Sequence, residues 1–148
     1  MYISKLFYPK QNQRMFNLYN WLNITMQKEI IYIFIGGGLG SICRYLITEI
    51  TPKYYKKDFP LGTFIANIIG CFVIGALFAT ISSNTNLSAL LITGFCGGFT
   101  TFSSFSKEVF QFLHNKKLKL AFIYVITSSI FGIFAVLSGY WIMEGNQI

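Results

Sequence analysis

The sequence predicts an all-α membrane protein of four transmembrane helices with a break in the third. Three observations carry that expectation. The 148 residues are 53% hydrophobic and only 11% charged, a balance foreign to ordinary soluble domains. Four apolar segments reach the roughly 20 residues needed to cross about 30 Å of hydrocarbon. The third of them contains Gly94-Phe95-Cys96-Gly97-Gly98-Phe99-Thr100-Thr101-Phe102-Ser103-Ser104-Phe105, which crowds glycines, hydroxyls and phenylalanines into one stretch. Glycine and hydroxyl clusters loosen a helix. Hydrocarbon tolerates loosened backbone only where the bared groups line a cavity or hold an ion. A pathway for something small and polar is the reading.

The first segment runs from about Ile30 to Ile47 and the second from about Gly62 to Ser82. The third spans about Leu87 to Leu113 and the fourth about Leu120 to Ile142. Thr51 to Asp58, Ser83 to Asn86 and His114 to Lys117 read as the short polar connections. Residues 29–148 thus read as one four-helix transmembrane domain, and residues 1–28 as a basic, aromatic extension. That extension has no apolar core followed by a small-residue cleavage site, so it does not read as a secretory signal. Phe16, Leu18, Tyr19, Trp21 and Leu22 suit a helix at headgroup level. Alternatively, translation starts at Met26.

A net charge of +7 would suggest nucleic acid in a soluble chain. Here the lysines flank the spans and read as topology signals and contacts with the lipid bilayer. Both termini share one face of the membrane. Lys5, Lys10, Arg14 and Lys28 lie on that side. Arg44, Lys53, Lys56, Lys57, Lys107, Lys116, Lys117 and Lys119 lie toward the other, which positive-inside logic places in the cytoplasm. Cys43, Cys71 and Cys96 fall within spans, without CxxC spacing, and read as free apolar thiols.

Span one carries Gly36, Gly37, Gly38 and Gly40, and the Gly36/Gly40 pair permits close helix contact. Arg44 follows, either snorkelling to the interface or drawing anions into a vestibule. In span two Gly62, Ala66 and Gly70 form a small-residue stripe, and Cys71, Gly75 and Ala79 a second. Asn67 is the strongly polar side chain deep in that helix. Span two alone favours a bond to a neighbouring helix; donors facing a pore are the alternative. In span three Phe102 and Phe105 share a face at i and i+3, and their electron-poor ring edges suit an anion. Thr101, Ser103 and Ser104 add hydroxyl donors, while the break bares carbonyls that a cation would satisfy. Tyr124 and Ser128 share a face of span four, bonding back to their own helix or forming a polar track.

The acids Glu29, Glu49, Asp58, Glu108 and Glu144 all fall at or near span ends, so no buried carboxylate is expected. His114 is the single histidine. No metal cluster, nucleophilic triad or phosphate loop assembles, so an enzyme is not expected. Donors without anions suit a small anion as cargo. A four-helix proton-coupled exporter would need an embedded acid in span one, and a non-conducting structural subunit would leave the break and Asn67 unexplained.

These elements resemble the Fluc (CrcB) family of fluoride channels. The matching residues are Gly36 to Tyr45; Phe59-Pro60-x-Gly62-Thr63 with Asn67 and Gly70; Gly94 to Phe105; and Tyr124 with Ser128. The likeness covers about residues 26 to 142. It implies passive fluoride export through an antiparallel, dual-topology homodimer in the cell membrane. Phe102 and Phe105 would supply pore-lining rings, Asn67 an amide donor, and Ser103, Ser104, Tyr124 and Ser128 a polar track. A structural Na⁺ at the dimer centre would be held by the backbone carbonyls of Gly97 and Thr100, with Arg44 near the vestibule. Some family members work as two unlike subunits, and the uneven Lys/Arg distribution leaves a heterodimer with a paralogous subunit as the alternative.

Overall fold

The computed structural model describes residues 10–54 and 58–145. The start of the extension and the Tyr55–Lys57 part of the first connection lie outside the described residues. Helix α1 spans Lys10–Tyr54 and α2 spans Leu61–Ile81. The third crossing is composite. It comprises α3 (Thr85–Leu87), a wide π-helical stretch Ser88–Cys96, α4 (Gly97–Phe99) and α5 (Phe102–His114). The fourth crossing is α6, Leu118–Glu144. All four crossings are long and apolar enough to span a bilayer, which makes this a multi-pass membrane protein.

The boundaries follow from local chemistry. Helix α2 begins directly after Pro60, where a missing amide costs nothing. Asn84 caps α3, its side chain accepting the Leu87 amide at 3.1 Å. Helix α5 closes through Lys116, whose φ of 57° turns the chain left-handed. The Lys117 amide then reaches back to the Phe112 carbonyl at 2.8 Å.

Helix α1 differs from the expected Ile30–Ile47 span. Its 45 residues make about 67 Å of helix. Residues 10–29 contain neither glycine nor proline, so nothing in them interrupts propagation. At its other end the helix overruns the expected connection and takes in Pro52 before ending at Tyr54. There Thr51 Oγ1 donates to the Ile47 carbonyl at 2.6 Å and helps close the backbone.

Between helices, glycine sets the spacing. A Cβ at Gly36 would lie 2.0 Å from the Leu90 carbonyl oxygen, and one at Gly40 would lie 2.1 Å from that of Phe95. Helix α1 therefore packs backbone to backbone on the third crossing, as its GxxxG pair led one to expect. Gly75 and Gly139 seat α2 on α6 in the same manner, with Cβ positions 2.0 and 2.2 Å from the Val136 and Phe72 carbonyl oxygens. Carbonyls cannot rotate aside as side chains do. Gly40→Ala should accordingly cost about 3 kcal/mol or more. Thermal unfolding in detergent would show it as a large drop in midpoint; an unchanged midpoint would mean the helices are looser than described.

Phe112, Ala121 and the fully buried Tyr124 form a small core, ringed by Phe59, Phe64, Phe105, Val109 and Leu120. Many other large apolar side chains are exposed, Phe34, Phe122 and Phe134 among them. On a membrane protein such a surface meets lipid. Cys43, Cys71 and Cys96 are free thiols, Cys96 buried.

Candidate functional site

The site is built where the third crossing leaves helical geometry. Thr100 (φ −79°, ψ 157°) and Thr101 (φ −148°, ψ 117°) are extended between α4 and α5. Extended backbone in a bilayer needs partners. The Thr100 amide and Oγ1 both donate to the Cys96 carbonyl, at 2.9 and 2.8 Å. Asn67 serves Thr101 completely. Its Oδ1 accepts the Thr101 amide at 2.8 Å and its Nδ2 donates to the Thr101 carbonyl at 3.1 Å. Thr101 Oγ1 in turn caps α5, accepting the Ser104 amide at 3.2 Å, and lies 3.1 and 3.3 Å from the Ser103 and Ser104 hydroxyls. The structural role that span two alone favoured for Asn67 is what its amide performs, and one N–H of that amide is left over.

Two carbonyls are deprived by this arrangement. In an unbroken helix the Thr101 amide would serve Gly97, and the Ser104 amide would serve Thr100. Those amides go to Asn67 and to Thr101 Oγ1 instead. Gly97 is exposed, with nothing within 4 Å of where a Cβ would stand. The Gly98 carbonyl, between them, accepts from Arg44 Nε at 3.0 Å and lies 3.5 Å from Ser41 Oγ. Arg44 thus turns inward to the end of α4 rather than snorkelling outward.

Beside the extended pair runs a groove of about 370 Å³. Asn67, Cys71, Ile74, Thr100, Thr101, Phe102, Phe105, Ser128 and Ser129 line it. The Phe102 and Phe105 ring centroids are 6.1 Å apart, and Phe105 is 5.0 Å from the Tyr124 ring. Phe102 is 80% exposed and projects from the four-helix body. Ser128 Oγ is buried and, among the described residues, has no hydrogen-bond partner. Leaving such a donor unpaired costs about 1–3 kcal/mol, so it marks a place where something polar belongs. A second groove, floored by Gly132 and Val136, shares Cys71, Ser128 and Ser129 and continues the first. Ser103 is exposed and Ser104 half-buried, and neither they nor Tyr124, all expected on the polar track, line the groove.

Glu108 corrects the expectation that every acid sits at a span end. It lies inside the bundle, half-buried between three helices. Its Oε1 accepts from Thr63 Oγ1 at 2.6 Å and its Oε2 from Tyr124 Oη at 2.8 Å. Helical geometry explains the error: one turn beyond Phe105, Glu108 faces the bundle whenever Phe105 does. The signal was present in Phe105, Glu108 and Phe112, which recur on one side of α5, and in Thr63, one turn before Asn67. Tyr124 likewise does not bond back to its own helix but joins this cluster. Glu108→Ala should cost about 2–4 kcal/mol by stranding two hydroxyls, and Glu108→Gln less because one acceptor remains. Melting curves of the two variants would test it; identical midpoints would place the carboxylate in water.

No group of three or more His, Cys, Asp or Glu side chains able to hold a metal occurs among the described residues.

Comparison with known proteins covers the same region. The family model described as "CrcB-like protein, Camphor Resistance (CrcB)" matches residues 31–140. A protein of Flavobacterium psychrophilum named "Fluoride-specific ion channel FluC" is 44% identical over 116 residues, covering 76% of this chain and 94% of that protein. A protein of the same name from Phocaeicola vulgatus is 42% identical over 120 residues, covering 79% and 99%. A third, from Pyrococcus horikoshii, is 41% identical over 117 residues, covering 76% and 94%. The composite third crossing, the Asn67–Thr101 pairing and the Glu108 cluster all lie inside the matched span, and on that match the chain belongs to the CrcB-like family.

Proposed function

We propose that this chain is a fluoride-selective channel that exports fluoride passively across the cell membrane and so limits its toxicity. The observation that carries the reading is the orphaned Ser128 hydroxyl, buried in a groove it shares with Asn67, Phe102 and Phe105. Fluoride is small and tightly hydrated, so its water must be replaced by donors at close range. The groove offers a spare amide N–H, hydroxyls and aromatic ring edges, all neutral. Such groups carry partial positive charge without a trap deep enough to stop conduction. Glu108 does not line that groove, and both of its oxygens are engaged by hydroxyls. The relatives' printed names agree with this cargo, and make the chain a transporter rather than an enzyme.

The working unit we propose is an antiparallel, dual-topology homodimer. Phe102 stands 80% exposed, which supports a second copy completing the wall around it. The interruption at Thr100–Thr101 is the break that shapes the pore. The carbonyls of Gly97 and Thr100 fit a hard cation such as Na⁺, since both have lost their helical amides and Gly97 is open. A bound Na⁺ would offset those oxygens and tie two inverted subunits together. Arg44, fixed on Gly98, adds positive charge toward an aqueous vestibule. A heteromeric pair is the second reading, favoured by the excess of Lys and Arg on one side of the membrane.

Reconstitution of the purified chain alone in liposomes, with a fluoride-selective electrode, tests this. Fast fluoride efflux with no chloride efflux is expected. Silence from this chain alone, with efflux restored by a second subunit, would replace the homodimer by the unlike pair. Equal passage of chloride would refute the selectivity.

A further inference from the structure

We propose that the part of α1 preceding the family-matched region, Lys10–Lys28, is a membrane-surface device that docks on anionic lipid headgroups. Helix α1 provides about 67 Å of rod for about 30 Å of hydrocarbon, so about 25 of its residues have no place in the bilayer core. The family match begins only at residue 31.

Its chemistry is not that of a helix meant for water. Met15, Phe16, Leu18, Tyr19, Trp21, Ile24 and Met26 are all at least half exposed. Met15, Leu18, Tyr19 and Met26 fall at i, i+3, i+4 and i+11, one side of the rod. Helical phase brings that side round to Ile30 and Ile33, also exposed, so the apolar stripe continues onto the surface that meets lipid. The charges are of one sign: Lys10, Arg14 and Lys28 occur without an acid before Glu29. Tyr and Trp beside cations and asparagine amides suit the boundary between acyl chain and headgroup. Each basic residue near an anionic surface contributes roughly fivefold to partitioning. Charge complementarity and continuity with the lipid-facing stripe both select a lipid surface over a protein partner.

The test uses the full chain carrying W141F, so that Trp21 is the reporting indole, in vesicles brominated in both leaflets. With anionic lipid, Trp21 emission should be blue-shifted and quenched more by bromines near the headgroup than by bromines near the chain ends. In zwitterionic vesicles, or in the K10Q/R14Q/K28Q variant, partitioning of this segment should weaken by about 100-fold and the headgroup-level quenching should be largely lost. The W21F chain, retaining Trp141, supplies the subtraction should W141F fold poorly. Water-like, unquenched Trp21 emission in anionic vesicles overturns the proposal. Quenching that is equal in neutral vesicles overturns the charge assignment. Burial that tracks the protein-to-lipid ratio shows a second copy as occupant and also overturns it. Because the readout is fluorescence, it stands or falls apart from fluoride transport.

Discussion

Asn67→Ala is expected to abolish fluoride efflux and to destabilise the subunit at the same time. The Asn67 amide supplies both backbone partners of Thr101, at 2.8 and 3.1 Å, within a residue only 7% exposed. Truncation strands one amide and one carbonyl where water does not reach. At about 1–3 kcal/mol for each, the loss is about 2–6 kcal/mol, a large share of any subunit's stability. Thr101 then has reason to rejoin the helix, and its cap on α5 goes with it. Asn67→Asp should be nearly as damaging, because a carboxylate cannot donate to the Thr101 carbonyl. Efflux from liposomes and thermal unfolding in detergent should fall together in both variants. A variant that melts normally and conducts normally would show that Thr101 does not depend on this side chain.

Phe105→Ile separates conduction from folding. Phe105 packs in the small core against Tyr124, with ring centroids 5.0 Å apart, and presents to the groove 6.1 Å from Phe102. Isoleucine preserves apolar bulk while removing the electron-poor ring edge. If that edge replaces water around the passing anion, its loss should raise the barrier by on the order of 2 kcal/mol, about 30-fold in rate. The repacking cost should stay below about 1.5 kcal/mol. Efflux should thus collapse while size-exclusion behaviour and the melting midpoint hold. Undiminished efflux would take the ring out of the pathway. Phe102→Ile offers the cleaner control on stability, since that ring is 80% exposed and supports little of the subunit's own core.

Crossing number and helix class were legible because bilayer thickness converts directly into apolar length. Gly36 and Gly40 were legible as a contact because in lipid only small residues let backbones touch. The overrun of α1 at its start was not, since the expected boundary rested on hydropathy, whereas residues 10–29 carry no glycine or proline to stop the helix. Span two alone favoured a bond from Asn67 to a neighbouring helix; its partner is the backbone of Thr101 in the extended link, which no side-chain pattern advertises. Glu108 was misplaced because nearness to a span end in sequence was taken for nearness to water. In fact Thr63 and Tyr124 both donate to it. The π-helical stretch Ser88–Cys96 left no mark in the sequence that length or periodicity could detect.

Glycine fuses the first crossing to the third and the second to the fourth, each at a distance that would not admit a methyl group. Within either fused couple there is no slack. Elastic strain from a thickening or thinning bilayer must then gather where the couples meet, and the rivets there are polar: Asn67 on Thr101, and Glu108 between Thr63 and Tyr124.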